Sequence, residues 1–166
     1  IKGVDGLMTV SKGVTLVTHH ADCIPVYLYE PGIHAAALLH SGWRSTLKSI
    51  TKNALNLMSR YPGFNASRLI AVFGPSIRSC CFEVDNDVFR MFYDLYPYAG
   101  FYNKLPNGKI TIDLQGIIKS DLIEFGLEDK NIHDCEICTK CRNSLFFSYR
   151  GDNGKTGSLA AFMQLK

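Results

Sequence analysis

Apolar residues run almost without a break through three segments near the start of the chain. Strand-forming residues fill positions 14–20 (VTLVTHH), 24–30 (IPVYLYE) and 34–40 (HAAALLH), and Pro31-Gly32 marks a turn between the last two. A strand that is apolar at nearly every position is typical of a sheet covered on both faces. The pattern therefore predicts strands buried inside the domain.

From Ser45 onward the spacing of apolar residues changes to the helical repeat. The apolar side of this segment consists of Leu47, Ile50, Ala54, Leu57, Met58 and Tyr61. Polar residues occupy the other side, and Pro62-Gly63 stops the pattern. We predict one helix from Ser45 to this stop.

The rest of the chain mixes strand and helix patterns. Further strands are predicted at 68–77, 132–137, 145–150 and 158–165, and helices at 85–97 and 113–126. Asp85 and Asp113 are the expected N-caps, and Gly126 stands where the second of these helices should end. Because strands follow one another instead of alternating strictly with helices, we predict a single α+β domain with mixed β-sheets.

Composition narrows the function without naming it. The chain has 166 residues, is 46% hydrophobic and carries a net charge of +3. No run of lysine or arginine resembles a nucleic-acid footprint, so we expect no nucleic-acid partner. No apolar stretch reaches the length of a membrane span, and we expect neither membrane insertion nor a signal peptide. Six cysteines lack disulfide-scaffold spacing, which favours reduced thiols in the cytoplasm.

Four polar residues lie at the ends of the buried strands. Asp22 and Cys23 precede the strand 24–30, His40 ends the strand 34–40, and Arg44 follows it. A thiolate and an imidazole are a natural pair of zinc ligands, or a nucleophile with its base. Asp22 either orients a ligand, binds ribose or caps the following turn.

The segment SGWRS (41–45) indicates anion binding. It opens the predicted helix, where free N–H groups favour an anion, and Arg44 offers a planar fork for phosphate or carboxylate. We interpret Trp43 as a core anchor. Glu83 is a weak acid–base candidate, and a charge on an exposed strand is the interpretation we favour for it.

Several short motifs occur in an order typical of one family. They are DGLMT, HADCIPV, HSGWRS, FGPSIRSCCFEV, DLQGIIKSDL, Cys138-Thr139 and FFSYR. Together they resemble the laccase-domain family, also called multicopper polyphenol oxidoreductase-like proteins and zinc-dependent purine nucleoside phosphorylases. The resemblance covers nearly all 166 residues, and ADC-x-P with H-x-G-W-R is its most specific part.

The resemblance implies a four-layer α/β/β/α sandwich and a metal held by one cysteine and two histidines. Cys23 matches the cysteine ligand, and His40 matches the second histidine. The first histidine belongs to a motif upstream of DGLMT, so we expect it before Ile1, in an N-terminal segment that this chain lacks. His19 and His20 are the nearby substitutes, and strand geometry lets at most one of them point at the metal.

The resemblance also implies the chemistry. The family's older name implies copper as the metal. A four-copper oxidase needs roughly ten histidines, and this chain has five. A multicopper laccase is therefore excluded for this chain. Zinc with an open position fits better. We expect phosphorolysis of adenosine, inosine or guanosine, with phosphate held by Arg44, and adenosine deamination as an additional activity. The preferred nucleoside and the oligomeric state stay open.

Three positions depart from the family pattern. Ser45 replaces a glycine, and Gly151 and Ser158 stand where relatives tend to carry arginines. If those arginines hold substrate in relatives, activity here is weaker or altered.

Two alternatives compete with the zinc enzyme. The fold is similar to that of bacterial toxins that deamidate glutamine, so Cys23 and His40 would then form a metal-free hydrolase pair. A domain that folds and binds no metal is the third possibility. Separately, the spacing of Cys135, Cys138 and Cys141 resembles a zinc or iron–sulfur site that would need Cys80 or Cys81 as well. We expect no metal there, because a strand at 135–137 would spread the ligands apart.

Overall fold

The computed structural model describes residues 3–166. Its strands are β1 (Gly6–Thr9), β2 (Thr15–His20), β3 (Ile24–Glu30), β4 (Ala35–Ser41), β5 (Ile70–Phe73), β6 (Glu83–Val84), β7 (Tyr102–Lys104), β8 (Ile110–Ile112), β9 (Ile132–Asp134) and β10 (Leu159–Gln164). Its helices are α1 (Trp43–Leu47), α2 (Ile50–Met58), α3 (Asn86–Leu95) and α4 (Leu114–Phe125). Within residues 3–166, no helix has the length and apolar character needed to cross a membrane.

A five-stranded sheet forms the centre of the fold. Its order is β1-β4-β3-β5-β9, and only the β5–β9 pair is parallel. A two-stranded sheet, β10-β2, and a three-stranded sheet, β6-β8-β7, complete the described part. The predicted α+β fold with mixed sheets is confirmed.

The two central strands are covered on both faces, as their apolar sequences predict. On one face Val26 and Leu28 join the main core with Leu55 of α2 and Ile117 of α4. On the other face Leu38 packs with Leu16 and Ala161 from the two-stranded sheet. Residues 3–166 therefore contain three of the four layers that the family resemblance implies: helices, the central sheet and the second sheet.

The predicted caps are confirmed. Asp85 occupies the N-cap position of α3 without a side-chain capping hydrogen bond, whereas the Asp113 side chain accepts a hydrogen bond from the backbone N–H of Gly116, at 3.0 Å, at the start of α4. Gly126 ends α4 in the left-handed region, with φ 111°. A residue with a Cβ rarely adopts this conformation, so the glycine is a stop signal that sequence alone can show.

Two local predictions are wrong. The helix predicted from Ser45 is broken into α1 and α2, because Ser49 has a left-handed backbone with φ 55°. No glycine or proline marks this break, and the apolar spacing continues through it. The predicted strand at 145–150 is a series of turns, in which the Leu145 side chain is 72% exposed.

Candidate active site

The pairing of β3 with β4 brings the ends of both strands together. Ile24 lies opposite Ser41, and Pro25 lies opposite His40. Cys23, one residue before β3, therefore lies beside Gly42. A Cβ built on Gly42 would come within 2.8 Å of the Cys23 Sγ, so only glycine leaves room for the thiol there.

The predicted site residues face one cavity of about 490 Å³. This is a common size for a pocket that binds a small molecule. Its walls come from both strand ends, α1 and two loops, and they consist of Asp5, Ala21, Asp22, Cys23, His40, Gly42, Trp43, Arg44, Ser45, Ile77, Phe82, Leu114, Tyr149 and Arg150. The structure thus collects Cys23, His40 and Arg44 in one place.

A carboxylate orients the His40 ring. The Nδ1 atom of His40 lies 3.4 Å from Oδ1 of Asp5, and the His40 backbone N–H donates to the Asp5 carbonyl at 2.7 Å. A ring N–H held by a carboxylate is the usual arrangement of a metal-binding histidine. It leaves Nε2 of His40 as the atom that can act in the cavity.

His20 lies next to His40 but outside the cavity. Its ring centroid is 5.0 Å from that of His40, yet neither His19 nor His20 lines the cavity. The His20 Nδ1 atom lies 3.2 Å from the Cys23 carbonyl oxygen, and its Nε2 atom lies 2.7 Å from the Thr18 hydroxyl. Burial and the neighbouring His40 lower the pKa of His20 to about 4. His20 is therefore a neutral, hydrogen-bonded histidine at pH 7, and both of its ring nitrogens are occupied.

The surroundings of Cys23 keep it protonated when no cation is present. Burial, followed by the negative charges of Asp22 and Asp5, raises the pKa of the Cys23 thiol to about 11. A nucleophilic cysteine is found instead in a positive environment that lowers its pKa. A metal ion would reverse this balance, because a coordinating thiol is deprotonated.

Asp22 ties the start of β3 to two loops. Its Oδ1 accepts a hydrogen bond from the Thr139 hydroxyl at 2.6 Å, and its Oδ2 accepts one from the Arg150 backbone N–H at 2.8 Å. The Asp22 carbonyl accepts the Ile77 N–H at 2.9 Å. Both carboxylate oxygens therefore have partners in the protein, and these contacts hold the loops that wall the cavity.

Two guanidinium groups reach the cavity. Arg44 is exposed, lies over the Trp43 ring at 4.1 Å and forms no ion pair within residues 3–166. The Arg150 guanidinium lies 5.6 Å from the centre of the Phe82 ring. Helix α1 has only five residues, so its dipole contributes little to the anion site that we predicted at its start.

The remaining candidates occupy other roles. Trp43 packs against the main core while lining the cavity. Glu83 belongs to β6 and lines a neighbouring cavity with Lys109. The Ser45 hydroxyl donates to the His40 carbonyl at 3.0 Å and accepts the Gly42 N–H at 2.9 Å, so it fixes the strand end that a glycine would leave free.

Sequence reasoning missed two charged residues of the cavity. Asp5 and Arg150 belong to the quoted segments DGLMT and FFSYR, but nothing in their local pattern indicates a role. Asp5 comes beside His40 through the pairing of β1 with β4, and Arg150 arrives through its backbone bond to Asp22.

A second group of sulfur atoms lies outside this cavity. All six cysteines are free, and four of them form the cysteine cluster: Cys80, Cys81, Cys138 and Cys141. The four Sγ atoms lie within 4.8 Å of one another, a grouping that could bind a metal. The expectation that these cysteines would be spread apart holds for Cys135, which is exposed and outside the cluster, but not for Cys138 and Cys141, which lie together with Cys80 and Cys81.

These features define a mixed α+β domain with a cysteine–histidine cavity at the ends of two central strands. The family model described as multi-copper polyphenol oxidoreductase laccase matches residues 1–166. The chain belongs to this family, as the motifs indicated.

Similar proteins agree in sequence and in fold. The chain is 33% identical, over all of its length and 60% of the relative, to purine nucleoside phosphorylase YlmD of Bacillus subtilis. It is 31% identical to purine nucleoside phosphorylase LACC1 of Mus musculus over 98% of the chain and 38% of that protein. The crystal structure of YlmD from Geobacillus stearothermophilus matches with a TM-score of 0.92 and 32% identity, over 99% of this chain and 62% of that one. The chain thus spans less than two thirds of these relatives.

Proposed function

We propose that this domain forms the catalytic part of a purine nucleoside phosphorylase that uses one metal ion. The observation that carries the proposal is that Cys23, His40 and Arg44 line the same cavity. Relatives at 33% and 31% identity carry the name purine nucleoside phosphorylase, which supports the same reaction class.

Two side chains at the cavity carry donor atoms of the kinds that bind zinc. Cys23 offers a thiol in an acidic setting, and His40 offers Nε2 while Asp5 holds Nδ1. A sulfur with an imidazole nitrogen suits zinc, whereas a multicopper site would need many more histidines. When bound, the ion supplies positive charge that stabilises negative charge on the reacting groups. Cys23 and His40 are the ligands that we assign in this chain.

The other walls of the cavity suit a nucleoside and phosphate. Trp43, Ile77 and Phe82 offer apolar surface for a flat purine, and the guanidinium groups of Arg44 and Arg150 offer planar forks for phosphate. In phosphorolysis a phosphate oxygen forms a bond to the ribose C1′ while the bond from C1′ to the purine breaks. The residues of this chain would contribute by positioning both reactants and by balancing charge.

The raised pKa of Cys23 argues against the metal-free hydrolase. A cysteine nucleophile must be a thiolate, and the acidic neighbours of Cys23 oppose that state. Adenosine deamination stays a prediction from the family resemblance. The cytoplasmic location likewise stays a prediction.

The proposed reaction is tested by replacing Arg44 with alanine in the full-length protein. We expect the wild type to release hypoxanthine from inosine only when phosphate is present. Arg44→Ala should raise the KM for phosphate about tenfold, the equivalent of one charge-assisted hydrogen bond. The control is Arg60→Ala, an exposed arginine beyond α2 that does not line the cavity. An unchanged phosphate KM in Arg44→Ala would contradict the anion role.

The rate at which Cys23 is alkylated distinguishes between the two hypotheses, a metal enzyme and a cysteine hydrolase. In metal-depleted protein near neutral pH, we expect iodoacetamide to modify Cys23 at least about tenfold more slowly than the exposed Cys135, because the rate follows the thiolate fraction. Peptide mass spectrometry over a time course measures both rates. Faster modification of Cys23 than of Cys135 would favour the hydrolase instead.

A further inference from the structure

The cysteine cluster joins two loops that are distant in the sequence. Cys80 and Cys81 follow β5, and Cys138 and Cys141 form a C-x-x-C pair after β9. The Sγ atom of Cys141 lies 3.7 Å from that of Cys80 and 3.4 Å from that of Cys81. Four sulfur atoms converge on one point from two separate segments.

These distances match coordination of a single ion. Zinc–sulfur bonds of about 2.3 Å in tetrahedral geometry separate the sulfur atoms by roughly 3.8 Å. Iron–sulfur clusters place several atoms between the cysteine ligands and therefore need wider spacing than this compact group offers. Four thiolates in tetrahedral arrangement are typical of a structural zinc site with no open position.

Hydrogen-bond donors surround the Cys138 sulfur. Backbone N–H groups of Cys141 and Arg78 and the thiols of Cys80 and Cys141 lie within hydrogen-bonding reach of the Cys138 sulfur. Arg78 is itself held by Asp134, whose two carboxylate oxygens each lie 2.7 Å from its Nη1. These donors fix the position of the Cys138 sulfur beside the other three sulfur atoms.

We propose that the cysteine cluster binds one structural zinc ion that fastens together the two loops walling the cavity. Cys80 and Cys81 lie between Ile77 and Phe82, which both line the cavity. On the other loop Thr139, the neighbour of Cys138, donates to Asp22 beside Cys23. An ion at the cluster cross-links these two walls.

The segment that follows Cys141 has few stabilising contacts of its own. Residues 141–158 contain turns and no strand or helix, and the apolar side chains of Leu145 and Phe147 are 72% and 50% exposed. A segment with so little core of its own is commonly stabilised by a metal or a disulfide. All six cysteines are free, and a metal ion at the cysteine cluster would supply such a cross-link.

Metal analysis of variants of the full-length protein tests the site. Cys23→Ala removes a ligand of the proposed active-site metal, so the zinc that this variant retains, about one equivalent per chain, belongs to the cluster. Adding Cys141→Ser should remove this zinc, whereas adding Cys135→Ser should not. Cys135 is the matched control because it is also exposed and lies outside the cluster.

A second measurement guards against misfolding of Cys141→Ser. Cobalt added to chelator-treated Cys23→Ala protein should produce the strong absorption of a four-thiolate site, and zinc should abolish it. An absence of zinc in Cys23→Ala, iron in its place, or a weak cobalt spectrum without thiolate character would each overturn the proposal. Because this readout is independent of catalysis, failure of the phosphorylase assignment would leave it intact.

Discussion

Replacement of Cys23 by alanine is expected to abolish the phosphate-dependent release of hypoxanthine from inosine. The variant removes the sulfur ligand from a cavity in which His40 is the other assigned donor. A catalytic metal contributes several kcal/mol of charge stabilisation, so kcat/KM should fall by at least about 100-fold. The measurement is a steady-state assay of the full-length protein with saturating phosphate.

Two further variants make this result specific. His40→Ala should show a loss of similar size, because it removes the second assigned ligand. Cys135→Ala should keep wild-type activity, because this exposed cysteine belongs neither to the cavity nor to the cysteine cluster. Full activity in Cys23→Ala would defeat the metal-site assignment.

Replacement of Asp22 by alanine is expected to lower the free energy of unfolding by about 3–6 kcal/mol, since its carboxylate accepts two hydrogen bonds and hydrogen bonds to charged groups contribute about 1.5–3 kcal/mol each. The Thr139 hydroxyl and the Arg150 N–H would both lose their acceptor. Asp22 also has φ 82°, a left-handed conformation that alanine adopts less readily than aspartate. Urea unfolding followed by fluorescence measures the change.

A graded pair of variants checks the cause. Asp22→Asn keeps one acceptor oxygen and tolerates the left-handed backbone, so it should lose less stability than Asp22→Ala. Asp94→Ala, at an exposed position on α3, is the matched control and should change stability by less than about 0.5 kcal/mol. Equal stability of Asp22→Ala and wild type would show that Asp22 does not hold the loops.

The sequence predicted those elements that depend on interactions between neighbouring residues. The continuous apolar runs of β3 and β4 and the caps Asp113 and Gly126 act within a few residues, so they can be read directly. The break between α1 and α2 could not be predicted, because Ser49 adopts a left-handed backbone conformation that usually signals itself by a glycine. The segment 145–150 misled for a different reason: its apolar residues resemble a strand but remain largely exposed.

Part of the candidate site could likewise be predicted from local motifs, and part could not. Motifs in the sequence singled out Cys23, His40 and Arg44, and the structure places all three around one cavity. Asp5 lacked a distinguishing signal because its contact with His40 depends on the pairing of β1 with β4.

The sequence by itself determined the strand and helix periods, the family and the chemistry available at two strand ends. Only the tertiary structure decided which distant groups meet. Asp22 contacts the Arg150 backbone, and Cys80 lies beside Cys141, although these two cysteines are 61 positions apart in the chain. The physical reason is that period and capping arise from neighbouring residues, whereas these contacts depend on strand register and on how loops close over the core.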